Sequence, residues 1–226
     1  MNTKIKIIVG VAVVVIAGLF FYNKSEGSDL SIDLDLFYVT DTVHRGGILS
    51  GDGVETDIGV STSLLDSLDA SVSLFSKKTF DGEDEVRPSI ELGTTVLDSV
   101  DLGIGVIKYN GHPVLDGDYE VYLEAGLDVL LNPTVSVFHN PDQDLNSIEG
   151  QVSHSVEILG QDVSVSAFAG RTELSSIVEA DYYGVTASIS KEIAKEVDLG
   201  AGVTYFDGDR TEGAEGVFFV GINTSF

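Results

Sequence analysis

The chain has 226 residues, no cysteine and no tryptophan, and 37 acidic against 12 basic side chains, a formal charge of -25. The length suits one all-β domain, and the missing cysteines exclude disulfides and thiolate-held metals as staples. So large an excess of acid excludes a nucleic-acid partner, whose phosphates need basic side chains, and suits cationic solutes or a salty medium.

At the N-terminus Lys4 and Lys6 precede an apolar run from Ile7 to Tyr22, and a polar stretch follows. This is the layout of an export signal over residues 1–27, with Ser25 and Gly27 as the small-residue pair and Ser28 as the mature start. The apolar run is only a little short of the roughly 17 to 25 residues that span a bilayer, so an uncleaved anchor is the competing reading. Without cysteine there is no lipobox.

From residue 30 onward, alternation replaces any helical period. The pattern predicts strands over 31–40, 54–65, 68–77, 86–97, 100–110, 119–130, 133–139, 147–158, 161–172, 181–190, 196–206 and 216–226. Most are near the roughly 9 to 11 residues with which a tilted strand crosses an outer membrane. Long links such as TDTVHRGGILSGDG, TFDGEDE and NGHPVLDGD take turns with tight ones such as Asp98-Ser99 and Leu131-Asn132. This predicts an up-and-down antiparallel transmembrane β-barrel over 28–226, of about twelve strands, with its long loops outside. In the final GVFFVGINTSF, Phe218, Val220, Ile222, Thr224 and Phe226 share one face. A strand ending on an aromatic must be pinned on both sides, as in a closed sheet.

In 119–130 the set Tyr119, Val121, Leu123, Ala125, Leu127 and Val129 opposes Glu120, Tyr122, Glu124, Gly126 and Asp128. A barrel in lipid must turn the first set outward and the second inward. Aromatics near strand ends, namely Phe37, Tyr38, Tyr109, Tyr119, Tyr182, Tyr183, Tyr205, Phe206 and Phe226, are candidates for the interfacial girdles. A soluble or virion-associated β-sandwich alternates in the same way, its acidic face in water and its apolar face in a core.

The last strand resembles the C-terminal sorting signal of bacterial outer-membrane proteins, with Gly221, Ile222, Thr224 and Phe226 at the spaced positions. The resemblance implies that the barrel-assembly machinery reads those residues. The stretch FYVTDTVHRGGILSGDGVETDIGVSTSL is similar to the opening hairpin of small Gram-negative porins of the TorF type, with Arg45-Gly46 as the family's Arg-Gly pair, although the usual downstream proline is missing. YEVYLEAGL resembles a later strand of that family. The resemblance implies an outer-membrane location in a Gram-negative cell, or a phage-encoded relative placed there, with membrane lipid or lipopolysaccharide as surroundings.

The predicted inward set is Asp33, Asp35, Glu55, Asp57, Asp69, Glu91, Glu120, Glu124, Asp128, Glu149, Glu157, Asp162 and Asp198, against Arg87. So many acids cannot be packed dry, since each buried unpaired carboxylate costs several kcal/mol or takes up a proton. A wet acidic lumen prefers cations. The expectation is a passive channel for ions or small solutes, with a non-conducting structural or surface barrel as the alternative.

No P-loop, zinc motif or dinucleotide fingerprint is present, and no enzymatic role is expected. His154 lies on the apolar parity between Ser153 and Ser155. Outer-membrane phospholipases use a His-Ser pair on the lipid side, but adjacent strand residues point to opposite faces, so neither serine can pair with it. Asp/Gly loops place Asp81, Glu83, Asp116, Asp118, Asp207 and Asp209 as weak calcium candidates. Solvated turn chemistry explains the same residues. No cofactor is expected beyond divalent cations loosely held in these loops.

Overall fold

The computed structural model describes residues 30–226 except 46, 50, 66, 81–83, 114, 175–177, 210 and 212–213. The export segment, Asp81 and Glu83 lie outside the described residues. The strands are β1 (Leu30–Val39), β2 (Thr42–His44), β3 (Gly47–Leu49), β4 (Gly53–Leu65), β5 (Leu68–Thr79), β6 (Asp84–Val96) and β7 (Val100–Lys108). They continue with β8 (Tyr119–Leu127), β9 (Thr134–Asn140), β10 (Leu145–Ile158), β11 (Gln161–Leu174), β12 (Val178–Ala194), β13 (Val197–Gly208) and β14 (Glu215–Ser225).

Twelve of these form one closed barrel in which each strand pairs antiparallel with its chain neighbours, and β14 closes on β1. A sandwich needs two sheets, so that alternative fails. The seam continues past the last strand residue: Phe226 and Ile32 exchange backbone hydrogen bonds of 2.9 and 3.0 Å. The ends pair as a closed sheet requires, leaving no open edge.

One end carries tight turns that depend on left-handed backbone, with positive φ at Leu97, Asp98, Asn132, Leu159, Gly160 and Glu196. The other end carries the longer links, although 141–144 is only a four-residue turn. Residues 191–195, a link between the strands predicted over 181–190 and 196–206, are mostly strand: β12 runs on to Ala194 with a bulge between Glu192 and Ala194. The bulge lets the pairing slip by a residue before the turn.

Register fixes the two faces. Ile90, Leu92, Leu102, Ile104, Val106, Leu123, Val137, Val165 and Val220 stand exposed on the outside. So large a continuous apolar belt is stable only in a bilayer, and the barrel spans one. Tyr38, Phe80, Tyr119, Tyr183, Tyr205 and Phe218 are exposed near the loop end, with Phe226 at the turn end. Phe37, Tyr109, Tyr182 and Phe206 do not join this girdle. They fall on the inward register, and the last three are buried in the loop-end half of the lumen.

Inside, rings on one strand lie over glycines on the next: Phe37 over Gly221, Tyr122 over Gly105, Phe168 over Gly184, Tyr182 over Gly170 and Phe219 over Gly202. A Cβ at any of these glycines would collide with the ring. The missing side chain therefore lets each ring lie close to the wall.

Candidate functional site

The lumen is crossed by the hairpin β2–β3, which belongs to the link between β1 and β4. Its closing pair, His44 with Gly47, leaves a two-residue turn, and Arg45 takes φ 36° there. Two-residue hairpins require such left-handed residues, and Arg45 is one. The hairpin is rooted on its own side, where Thr42 Oγ1 donates to Glu55 on β4. Its tip reaches the far wall: Arg45 pairs with Glu120 of β8 and lies 3.5 Å from the ring centre of Phe138 on β9. Thr172 of β11 donates to the Arg45 carbonyl at 3.4 Å.

Glu120 is fully buried and also accepts from Tyr109 Oη at 2.6 Å. A buried carboxylate with a guanidinium and a phenol as donors is an ordered anchor point. Beside it, Arg87 donates to His44 Nδ1 at 3.2 Å, pairs with Glu85 at 3.0 Å and covers the Phe75 ring at 3.8 Å. His44 Nε2 is buried without a hydrogen-bond partner. The His44 and His112 rings are 5.1 Å apart, and both touch Tyr109.

Both imidazoles are neutral for the same reason. An arginine only donates, so His44 Nδ1 must accept; His112 Nδ1 accepts the Leu115 N–H at 3.1 Å. Burial, then the Arg45 and Arg87 guanidiniums and the neighbouring imidazole, hold His44 well below the usual histidine value. Burial, then Arg87 and Arg45, bring His112 down to about 4.

Apart from Asp128, the inward carboxylates of the sequence analysis fall on the lumen register. Asp35 and Asp57 face each other across β1–β4, and Asp33 faces Gly59. Glu149 accepts from Tyr182 at 2.9 Å. Glu157 stands opposite Asp162, and Asp198 opposite Glu192 and Asn223. Asp69, Glu91 and Glu124 meet around one cavity of about 280 Å3, together with Asp101, Ser61, Ser71 and Gly103. Glu91 accepts from Tyr122 and Glu124 from Ser136 there. Asp128 lies past the end of β8, exposed in the turn.

Lys77, Glu85 and Asp101 share the inward register without having been picked out by sequence. Glu85 falls one residue before the predicted strand at 86. Lys77 and Asp101 were legible from parity alone. Among the described residues, the lumen's basic groups are Arg45, Lys77 and Arg87, all at the hairpin level.

The loop carboxylates are spent on backbone and side-chain donors. Asp116 holds Gly111 N, Asp118 holds Asn140 and Gln143, Asp207 holds Tyr183 Oη and Asp209 holds Asp181 N. No cluster of three or more metal-binding side chains is present among the described residues. His154 points outward and donates to the Leu130 carbonyl at 2.9 Å.

No family model matches the chain, and no curated protein sequence matches it. Solved structures do. The NanC porin aligns with TM-score 0.56 and 11% identity over 85% of this chain and 98% of that one. The KdgM porin gives 0.55 and 11% over 86% and 99%. An outer membrane channel from Pseudomonas putida F1 gives 0.54 and 12% over 88% and 95%. At these identities the likeness is one of fold: this chain shares the closed barrel of these proteins.

Proposed function

We propose that the protein is an outer-membrane channel that passes ions or small solutes passively and prefers cations, its lumen narrowed by the β2–β3 hairpin. The observation that carries this is the uneven charge of the lumen. Carboxylates line it along its length, while Arg45, Lys77 and Arg87 are confined to one level, each close to a carboxylate. Below that level nothing basic on the described strands offsets the acids, and such a wall attracts cations and repels anions. The fold shared with porins and a channel supports the reading. Passive passage requires no catalytic group, and we assign none.

The test is the reversal potential of the detergent-folded protein in a planar bilayer under a salt gradient. A cation-selective current that loses selectivity in Glu91→Gln/Glu124→Gln is the expected result; anion selectivity would overturn the reading. One observation favours a second reading, a non-conducting barrel. The hairpin touches β4, β8, β9 and β11, and silence from correctly folded barrels would decide for it.

A further inference from the structure

The docked hairpin fills the loop end of the lumen unevenly. Toward β6 and β7 the space is occupied by His44, His112, Tyr109 and Arg87. Toward β13, β14 and β1 a cavity of about 310 Å3 remains between hairpin and wall. One side of it is the edge-to-face pair Phe37 and Phe219, with centroids 5.8 Å apart and planes at 85°. Val43 of the hairpin contributes apolar surface from the other side, and Asp41 and Glu55 add carboxylates.

The charges there are specific. Glu55 accepts from Thr42 and faces Lys77 across the β4–β5 pair. Asp41 accepts the Gly51 N–H at 3.0 Å. Lys77 is within electrostatic reach of Glu55, Asp41 and Glu85, and Arg87 of Glu55 and Glu85, so two cations stand against three carboxylates and the cavity keeps a negative excess.

We propose that this cavity binds small organic cations, amines or quaternary ammonium ions with an apolar body, and is the selectivity site of the channel. An aromatic pair attracts a cation and shelters hydrocarbon, while the carboxylates reject an anion of the same shape. A small hydrated metal ion gains nothing from the phenylalanines. The volume lies at the lower end of the roughly 300–1,000 Å3 of small-molecule sites. The selectivity role rests on the channel reading above; the binding chemistry stands without it.

Benzyltrimethylammonium and benzoate, titrated against the full-length detergent-folded protein by calorimetry and added to single channels in bilayers, test this. The cation is expected to bind at about millimolar concentration and to interrupt the current, and benzoate to do neither. Asp41→Asn keeps an acceptor for Gly51 N–H, and Phe219→Leu keeps apolar bulk without the ring face. Each is expected to weaken binding and block about tenfold. Equal binding of benzoate, or no effect of either substitution, overturns the site. Calorimetric binding that Asp41→Asn weakens, without any current, keeps the site and removes the channel. Current with no amine binding does the reverse, and absence of both removes both.

Discussion

Arg45 decides where the hairpin sits, because its guanidinium joins the tip to a fully buried acid. Arg45 stood out in the sequence, and the structure gives it a physical role: a left-handed turn residue whose side chain ends on the far wall. Removing one partner of a buried pair costs about 3–5 kcal/mol, since the other is left uncompensated. Arg45→Ala is therefore expected to free the hairpin and raise single-channel conductance severalfold, while the barrel keeps its heat-modifiable gel mobility. Glycines carry a second residue-scale expectation. Gly202→Ala drives a methyl group into the Phe219 ring, and overpacking of this kind costs about 1–3 kcal/mol; a lowered urea midpoint for the folded barrel would show it. Parity alone identified most lumen carboxylates. Nearness to a strand end misled for Phe37, Tyr109, Tyr182 and Phe206, because a ring there can serve a girdle outside or a plug inside, and the register, which sets Phe37 on the face of Asp33 and Asp35, decides.

The twelve spanning strands were legible because a wall between lipid and water forces a two-residue period on every strand. The β2–β3 hairpin was not, because its strands of three residues are too short to show a period and their place in the lumen depends on partners as distant as Glu120. Its docking is expected to depend on pH. Facing His44 are Arg45 on the hairpin, Arg87 and Glu85 on β6, Tyr109 and His112 on the next link, with Lys77 on β5, Glu55 on β4 and Glu120 on β8 nearby. Docked, both histidines are held neutral, His112 down to about 4; released into water they return to about 6.5. The released state thus binds more protons between those values, so docking is at full strength above about pH 6.5 and weakens as the pH falls toward 4. Conductance is expected to rise over that interval, and His44→Asn/His112→Asn to flatten the rise. The closing strand gives a further expectation. Deleting Phe226 removes the last backbone pair with Ile32 and the end of the sorting pattern, and should lower the amount of heat-modifiable barrel in outer-membrane fractions; unchanged assembly would refute that role.

At the scale of the whole molecule, the fold followed from strand number, loop alternation and the terminal aromatic, whereas the lumen's contents came from contacts distant in sequence. The proposed preference for cations over anions belongs to the summed charge of the wall, and the cavity beside the hairpin sorts among those cations. Such a field is screened over about 10 Å at 0.1 M salt and about 3 Å at 1 M. Selectivity should therefore decline steeply between those concentrations in reversal-potential measurements, while the current itself grows. The two ends of the lumen differ. The loop end is narrowed by the hairpin, and the turn end is lined by serines, glycines and the acids around Glu91 and Glu124. A charged cone with its narrow mouth at one end accumulates mobile cations under one polarity and depletes them under the other. As the channel proposed above, the protein is therefore expected to rectify with identical salt on both sides, and the sign of its asymmetric current to report which way each barrel has inserted.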